Sequence, residues 1–285
     1  LDGLIRKVVY RIIRNLPKDS YYQVTSILKK IKSGDTSTKF MNELTQNVFS
    51  IISNDIFHDS PNVCITHDID SIYCLRELEN TFTVNQSVGA KASLHFLTNA
   101  DYSLDRIDFE GIISGGNLVG LHGDHHDIAL GYRNRNQFKK RIQSCLNRLP
   151  TSEFKIFRAP GFGMCINKLH ILQELGFALD TSATSGFLFN RDSYFGILQT
   201  EQLSKLEIKV AVVNYSDDRV IRELGAPINI QKKLIDLILL ESISMKSTAI
   251  FNFHPGISSK EITHYEEIVQ HFSNRSAKFR TLAEI

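Results

Sequence analysis

Val63–Asp70 reads VCITHDID: a short apolar run, Val63-Cys64-Ile65, that ends in Thr66-His67-Asp68-Ile69-Asp70. The run has the length and composition of a buried strand, and the polar residues stand where such a strand should emerge. Side chains two apart in an extended chain point the same way, so Asp68 and Asp70 converge on one site. Two adjacent carboxylates repel and push one pKa up, which suits a cation, a catalytic acid or base, or both. The plainer alternative is a post-strand turn, where Asp is common.

Outward from this stretch, short apolar runs alternate with amphipathic segments. Further strands are predicted at Ala92–Leu97, Leu118–Leu121, Phe154–Phe157, Phe177–Leu179, Ile208–Val213 and Ala249–Phe253. Helices are predicted over 72–88, 105–113, 136–149, 167–175, 230–243 and 261–272, and 186–202 reads as a long loop. Such alternation specifies an α/β fold, a parallel sheet with crossover helices either curled into a barrel or left open. Ahead of it, residues 1–60 read as a separate helical extension, with 61–285 as the main domain. Leu4, Ile5, Val8, Val9, Ile12, Ile13 and Leu16 recur at helical spacing, with Arg6, Lys7, Arg11 and Arg14 on the other face. A basic amphipathic helix of this kind packs on the main domain or makes peripheral contact with an anionic membrane.

The composition narrows the class. Apolar residues make up 42% of 285, enough for a large core, and no run approaches the roughly 18 apolar residues that span a bilayer. Lys and Arg total 33 against 31 acidic residues, which gives no overall pull toward nucleic acid. Cys64, Cys74, Cys145 and Cys165 lie far apart with no CxxC, as in a reducing compartment. No signal peptide is visible, so a cytoplasmic location is expected, extending to the inner face of the membrane if the basic helices bind it.

Five polar clusters each directly follow an apolar run: His67-Asp68-Ile69-Asp70, His122-Gly123-Asp124-His125-His126, Arg158-Ala159-Pro160-Gly161, Asp180-Thr181-Ser182 and His254-Pro255-Gly256. In parallel α/β folds the carboxyl ends of the strands share one rim, and that rim carries the active site. His122 and His126, four apart, stack on one face of a helical turn. With Asp70 they make a His2Asp set that leaves a coordination position open, the pattern of a catalytic zinc site. His125 is an alternative second ligand, Asp124 a supporting partner, and His67 should point away from Asp68. Asp68 then becomes the general base, and Arg158 is placed to hold it ionised. Gly161 lets the backbone approach a ligand, where an N–H helps hold an oxyanion. His254 is the candidate acid, with Asp180 either orienting it or bracing Arg158.

Assembled, these motifs resemble those of the polysaccharide deacetylases (NodB-homology, carbohydrate esterase family 4), in the same order: THDID, HGDHH, RAPGFG, LDTS and FHPG. The resemblance spans roughly residues 62–256. It implies a distorted (β/α) barrel of the NodB type and a divalent metal, usually zinc, on Asp70, His122 and His126. It further implies Asp68 as base, Arg158 as its tether and His254 as acid, acting on the N-acetyl or N-formyl group of an amino sugar. Three departures stand out. Ile69 separates the two aspartates, as in branches that resemble intracellular enzymes of sugar precursors. The aromatic after Arg-x-Pro falls at Phe162, and the chain contains no Trp. The substrate expected is therefore a nucleotide-linked, lipid-linked or oligosaccharide amino sugar of surface-polysaccharide assembly. Two rivals are a glycosyltransferase using Asp68 and Asp70 as a metal–diphosphate clamp and an inactive carbohydrate-binding protein on the same fold.

Overall fold

The computed structural model describes residues 59–150, 153–184, 194–195, 206–223, 227–256 and 261–285. The expectation of a helical extension at 1–60 lies almost wholly outside them, as does most of the long loop at 186–202.

In chain order the elements are β1 (Asn62–Ile69), α1 (Ile72–Arg76), α2 (Leu78–Ser87), β2 (Ala92–Phe96), α3 (Phe109–Ser114), β3 (Leu118–Leu121), α4 (Arg135–Leu146), β4 (Ile156–Phe157) and β5 (Met164–Cys165). There follow α5 (Leu169–Glu174), β6 (Leu179–Thr184), β7 (Tyr194–Phe195), β8 (Lys209–Ser216), α6 (Ile228–Ser244), β9 (Thr248–Phe253), α7 (Glu261–Asn274) and β10 (Lys278–Arg280). Strands run β1-β2-β3-β4-β6-β8-β9, and β9 pairs back onto β1, closing a seven-stranded barrel. Every pairing in it is parallel. All seven strands expected from the sequence are barrel strands, and the NodB-type (β/α) barrel is the fold observed.

Closure explains the composition of the strands. A parallel strand sandwiched between barrel interior and helices is covered on both faces, so it reads as a near-continuous apolar run rather than an alternating one. β1 is buried from Val63 to Ile69. Three short strands escaped the sequence reading. β10 pairs with the first three residues of β1, and β5 pairs with β7 outside the barrel. At two or three residues each, none carries a usable period. Three strands run further than expected: β1 continues past its apolar run to Ile69, β6 to Thr184 and β8 to Ser216.

One glycine sets the spacing of the rim. Gly131 ends the loop after β3, where a Cβ would lie 2.2 Å from the Gly163 carbonyl oxygen and 2.7 Å from Met164 Cα. Cys165 N donates to Gly131 O across the same junction. Only a residue without a side chain lets the HGDHH loop lie against the RAPGFG loop. Gly131→Ala is expected to destabilise the fold by about 1–3 kcal/mol through backbone displacement. A lower denaturant midpoint at unchanged m checks it.

Candidate metal centre and its surroundings

Asp70 leaves β1 just past its last residue, Ile69. Its backbone is fixed from both sides. Tyr102 Oη donates to the Ile69 carbonyl at 2.7 Å, and Ile72 N donates to Asp101 Oδ1 at 2.6 Å. His122 follows β3, and its Nδ1 donates to the Arg158 carbonyl at 2.9 Å. That acceptor can only accept, so the proton sits on Nδ1 and the lone pair of Nε2 is left free. This Nε2 faces Asp70 Oδ1 at 3.3 Å, and His126 Nε2 faces Asp70 Oδ2 at 3.3 Å. The three atoms that could hold a cation lie within 4.8 Å of one another.

Asp70 Oδ1 and His122 Nε2 are both buried and neither has a hydrogen-bond partner. Orphaned polar atoms at such depth carry a desolvation penalty of about 1–3 kcal/mol each, and these two aim at the same point. One carboxylate oxygen and two imidazole nitrogens are the donor set that zinc and similar divalent cations take. The residues present therefore fit the cation.

Asp68 lies one pleat deeper, inside the barrel. Arg158 Nη1 donates to its Oδ1 and Asn252 Nδ2 to its Oδ2, each at 2.8 Å. The Arg158 guanidinium is fully buried. It also donates to Asn252 Oδ1, Thr66 Oγ1, and the carbonyl and hydroxyl of Thr181. Phe162 covers it with its ring centroid 5.5 Å from Cζ, which is where the displaced aromatic ends up. Burial by itself would raise the Asp68 pKa. The Arg158 guanidinium, with His122, His254 and His95, outweighs burial and holds the carboxyl far below the ordinary carboxylate range.

His254 leads out of β9 with its Nε2 3.8 Å from both Asp68 Oδ2 and Asp70 Oδ2. Its Nδ1 meets Asp217 Oδ1 at 2.6 Å, and its backbone N donates to Asp217 Oδ2 at 2.7 Å. Burial alone would lower the His254 pKa. The Asp217 carboxylate more than offsets it, so the ring titrates well above its usual value. A raised histidine pKa keeps the ring protonated through neutral pH and releases the proton as pH climbs past the raised value. Asp217→Asn is therefore expected to move the alkaline limb of the kcat/KM profile to lower pH, which a pH–rate series checks.

The rim thus collects Asp68, Asp70, His122, His126, Arg158 and His254, and excludes Asp180. Asp180 neither orients His254 nor braces Arg158 through a described contact. Its carboxylate accepts from the Ser182 hydroxyl at 2.7 Å, and that hydroxyl accepts from Ala159 N. β6 is the cause: Asp180 sits within the strand rather than beyond it, and pleat alternation gives the inward place to Thr181. His67 turns away from Asp68 as expected, with Nε2 3.2 Å from Tyr265 Oη. His125 is tied to Asn99, its Nδ1 3.0 Å from the Asn99 carbonyl, and stays out of the metal cluster.

Four contributors were missed. Asp217 follows a strand three residues longer than its apolar run. Thr66 and Asn252 are register partners across β1 and β9, a pairing visible only once the barrel closes. His95 stands opposite Asp68 in β2, with its unpartnered Nδ1 3.6 Å from Asp68 Oδ1. A histidine inside an apolar strand was the one available signal.

The barrel matches solved structures. One is a peptidoglycan N-acetylglucosamine deacetylase, Bc1960, bound to an N-hydroxy-benzamide: 17% identity, TM-score 0.50, 80% of this chain and 88% of that one. Another is a mutant of BA3943, a carbohydrate esterase family 4 pseudoenzyme from Bacillus anthracis: 11% identity, TM-score 0.50, 79% and 67%. No family model and no curated protein matches the sequence.

Proposed function

We propose that this chain, whose barrel is the one found in solved carbohydrate deacetylases, is a metal-dependent amide hydrolase that removes an N-acetyl or N-formyl group from an amino sugar. The observation that carries this reading is one of juxtaposition. An orphaned His2Asp cluster stands beside a carboxylate held ionised by a buried arginine and an imidazole held protonated by Asp217.

A divalent cation on Asp70, His122 and His126 would polarise the acyl carbonyl and lower the pKa of a water into the range that so weak a base as Asp68 can serve. Asp68 accepts the water proton, with Arg158 and Asn252 fixing both of its oxygens. His254, across the site, donates its Nε2 proton to the departing nitrogen, without which an amine leaves too poorly. Asp217 holds that imidazole in place by contacts to both Nδ1 and the backbone. Ionised Asp68 and protonated His254 form the acid–base pair that amide cleavage requires at neutral pH.

The fold alone does not separate enzyme from binding protein, since one similar structure is a pseudoenzyme. Here every position the chemistry needs holds a competent side chain. A diphosphate clamp would have no use for the two imidazoles that stand with Asp70 in the cluster. Among the described residues no helix is long and apolar enough to cross a membrane. The substrate we infer is a nucleotide- or lipid-linked amino sugar of surface-polysaccharide assembly, supported by the intracellular cast of the cysteines and the Asp-x-Asp motif. Zinc-loaded protein should release acetate or formate from activated N-acyl amino sugars. Release from chitin or peptidoglycan oligomers only would keep the hydrolase and replace the substrate. Transfer of sugar without acid release would overturn both.

A further inference from the structure

The two histidines of the cluster are held by different means. The His122 ring is buried and anchored through Nδ1. The His126 ring is 43% exposed, and its polar neighbour among the described residues is Asp70 itself. Its aim must therefore come from the chain that carries it. That chain, between β3 and α4, is a succession of turns without regular structure.

Asp124 and Asp127 stand on either side of His125-His126, and both turn to Arg141 of α4, with Asp127 also accepting from Arg133 Nη2 at 3.2 Å. Arg141 Nε donates to Asp124 Oδ2 at 2.8 Å, Nη2 donates to Asp124 Oδ1, and Nη1 donates to Asp127 Oδ2 at 2.5 Å. The carboxylates in turn grip the loop. Asp124 Oδ1 accepts from His125 N, and Asp127 Oδ1 accepts from Ala129 N, each at 2.9 Å. The helix behind the guanidinium is itself fixed. Asn134 caps it through Gln137 N, and Phe138, Ile142 and Cys145 are buried in the core.

We propose that Arg141 is a positioning residue for the metal centre: by clamping Asp124 and Asp127 it holds the loop so that His126 Nε2 meets Asp70 and His122. It rests on the reading of those three residues as a cation site. The forked geometry matters, because only a guanidinium reaches both carboxylates and engages one of them with two donors. Stability is a poor explanation for the cluster, since partly exposed ion pairs contribute little to it. Orientation of a metal ligand is worth far more: loss of such support typically costs 10–100-fold in metal affinity.

The test is a zinc titration of the full chain against a chromophoric chelator, with the thermal midpoint of the metal-free protein measured alongside. Arg141→Ala should weaken zinc by about 10–100-fold while the metal-free midpoint moves little. Arg141→Lys should recover only part, because it keeps the charge and loses the fork. Arg135→Ala, on the same helix but paired with Glu174, should bind zinc like the parent. The Asp124→Asn/Asp127→Asn pair should reproduce the Arg141→Ala loss, and adding Arg141→Ala to it should cost nothing further. Unchanged zinc affinity in Arg141→Ala would overturn the proposal, as would an equal loss in Arg135→Ala. A parent chain that binds no zinc, or a His122→Ala variant that binds it as tightly, would instead overturn the metal centre itself.

Discussion

Asp68→Asn is expected to lower kcat by roughly a thousandfold while zinc stays bound, because the variant keeps all three proposed ligands and loses only the proton acceptor. The same substitution has a second consequence. The Arg158 guanidinium is fully buried, and Asp68 is the carboxylate it meets, at 2.8 Å. Asn at 68 leaves that cation among neutral acceptors. Breaking a buried pair by removing one partner costs about 3–5 kcal/mol, and the near-isosteric amide, still able to accept, should fall toward the lower end. Activity and stability are thus expected to fall together, and inactivity alone would be ambiguous. The double variant Asp68→Asn/Arg158→Met separates them. With the stranded charge gone it should regain much of the lost thermal midpoint and none of the turnover. If Asp68→Asn turned over at a near-normal rate, the base would have to be sought elsewhere.

His122→Ala is expected to lose the metal. Its Nε2 is one of the three proposed ligand atoms, and its ring is buried and anchored through Nδ1 on the Arg158 carbonyl. Zinc content should fall from about one equivalent toward zero, and kcat with it. His126→Ala removes an exposed ligand with no ring anchor, so weakened binding that excess zinc partly restores is the expected result. The pH dependence follows the same residues. Burial lowers the His122 pKa, the carboxylates of Asp68 and Asp70 raise it, and they prevail. Without metal this histidine holds its extra proton to higher pH than usual, so zinc must displace a proton and its affinity should fall as pH drops through that raised value and below. Metal titrations at several pH values, with proton release followed, check this.

How much was legible from the residues depended on local signals. Val63–Asp70 announced both strand and site, because a buried parallel strand must end in whatever its rim needs. His122 and His126 were readable from their spacing, and Arg158 from its place between Phe157 and Pro160. Asp180 misled for a definite reason: the apolar run at 177–179 ends well before its strand does. The same error in β8 hid Asp217, which lies just beyond Ser216, the end of a strand whose last three residues are more polar. Asn252, Thr66 and His95 act through register. Their role depends on which residue of a neighbouring strand lies opposite, and no window of sequence contains that pairing. The parallel α/β architecture was legible from strand–helix rhythm, which left barrel and open sheet undecided; the barrel came only with the motif resemblance, because closure through β1 and β9 is a property of the whole chain.

The central claim is that segments far apart in the chain bring one carboxylate and two imidazoles to a single cation. X-ray absorption at the zinc edge, on protein carrying one equivalent of zinc, tests it most directly. A light-atom shell with the scattering signature of two imidazoles is expected, lost in His122→Ala. Sulfur in that shell, or a spectrum unchanged by His122→Ala, would contradict it.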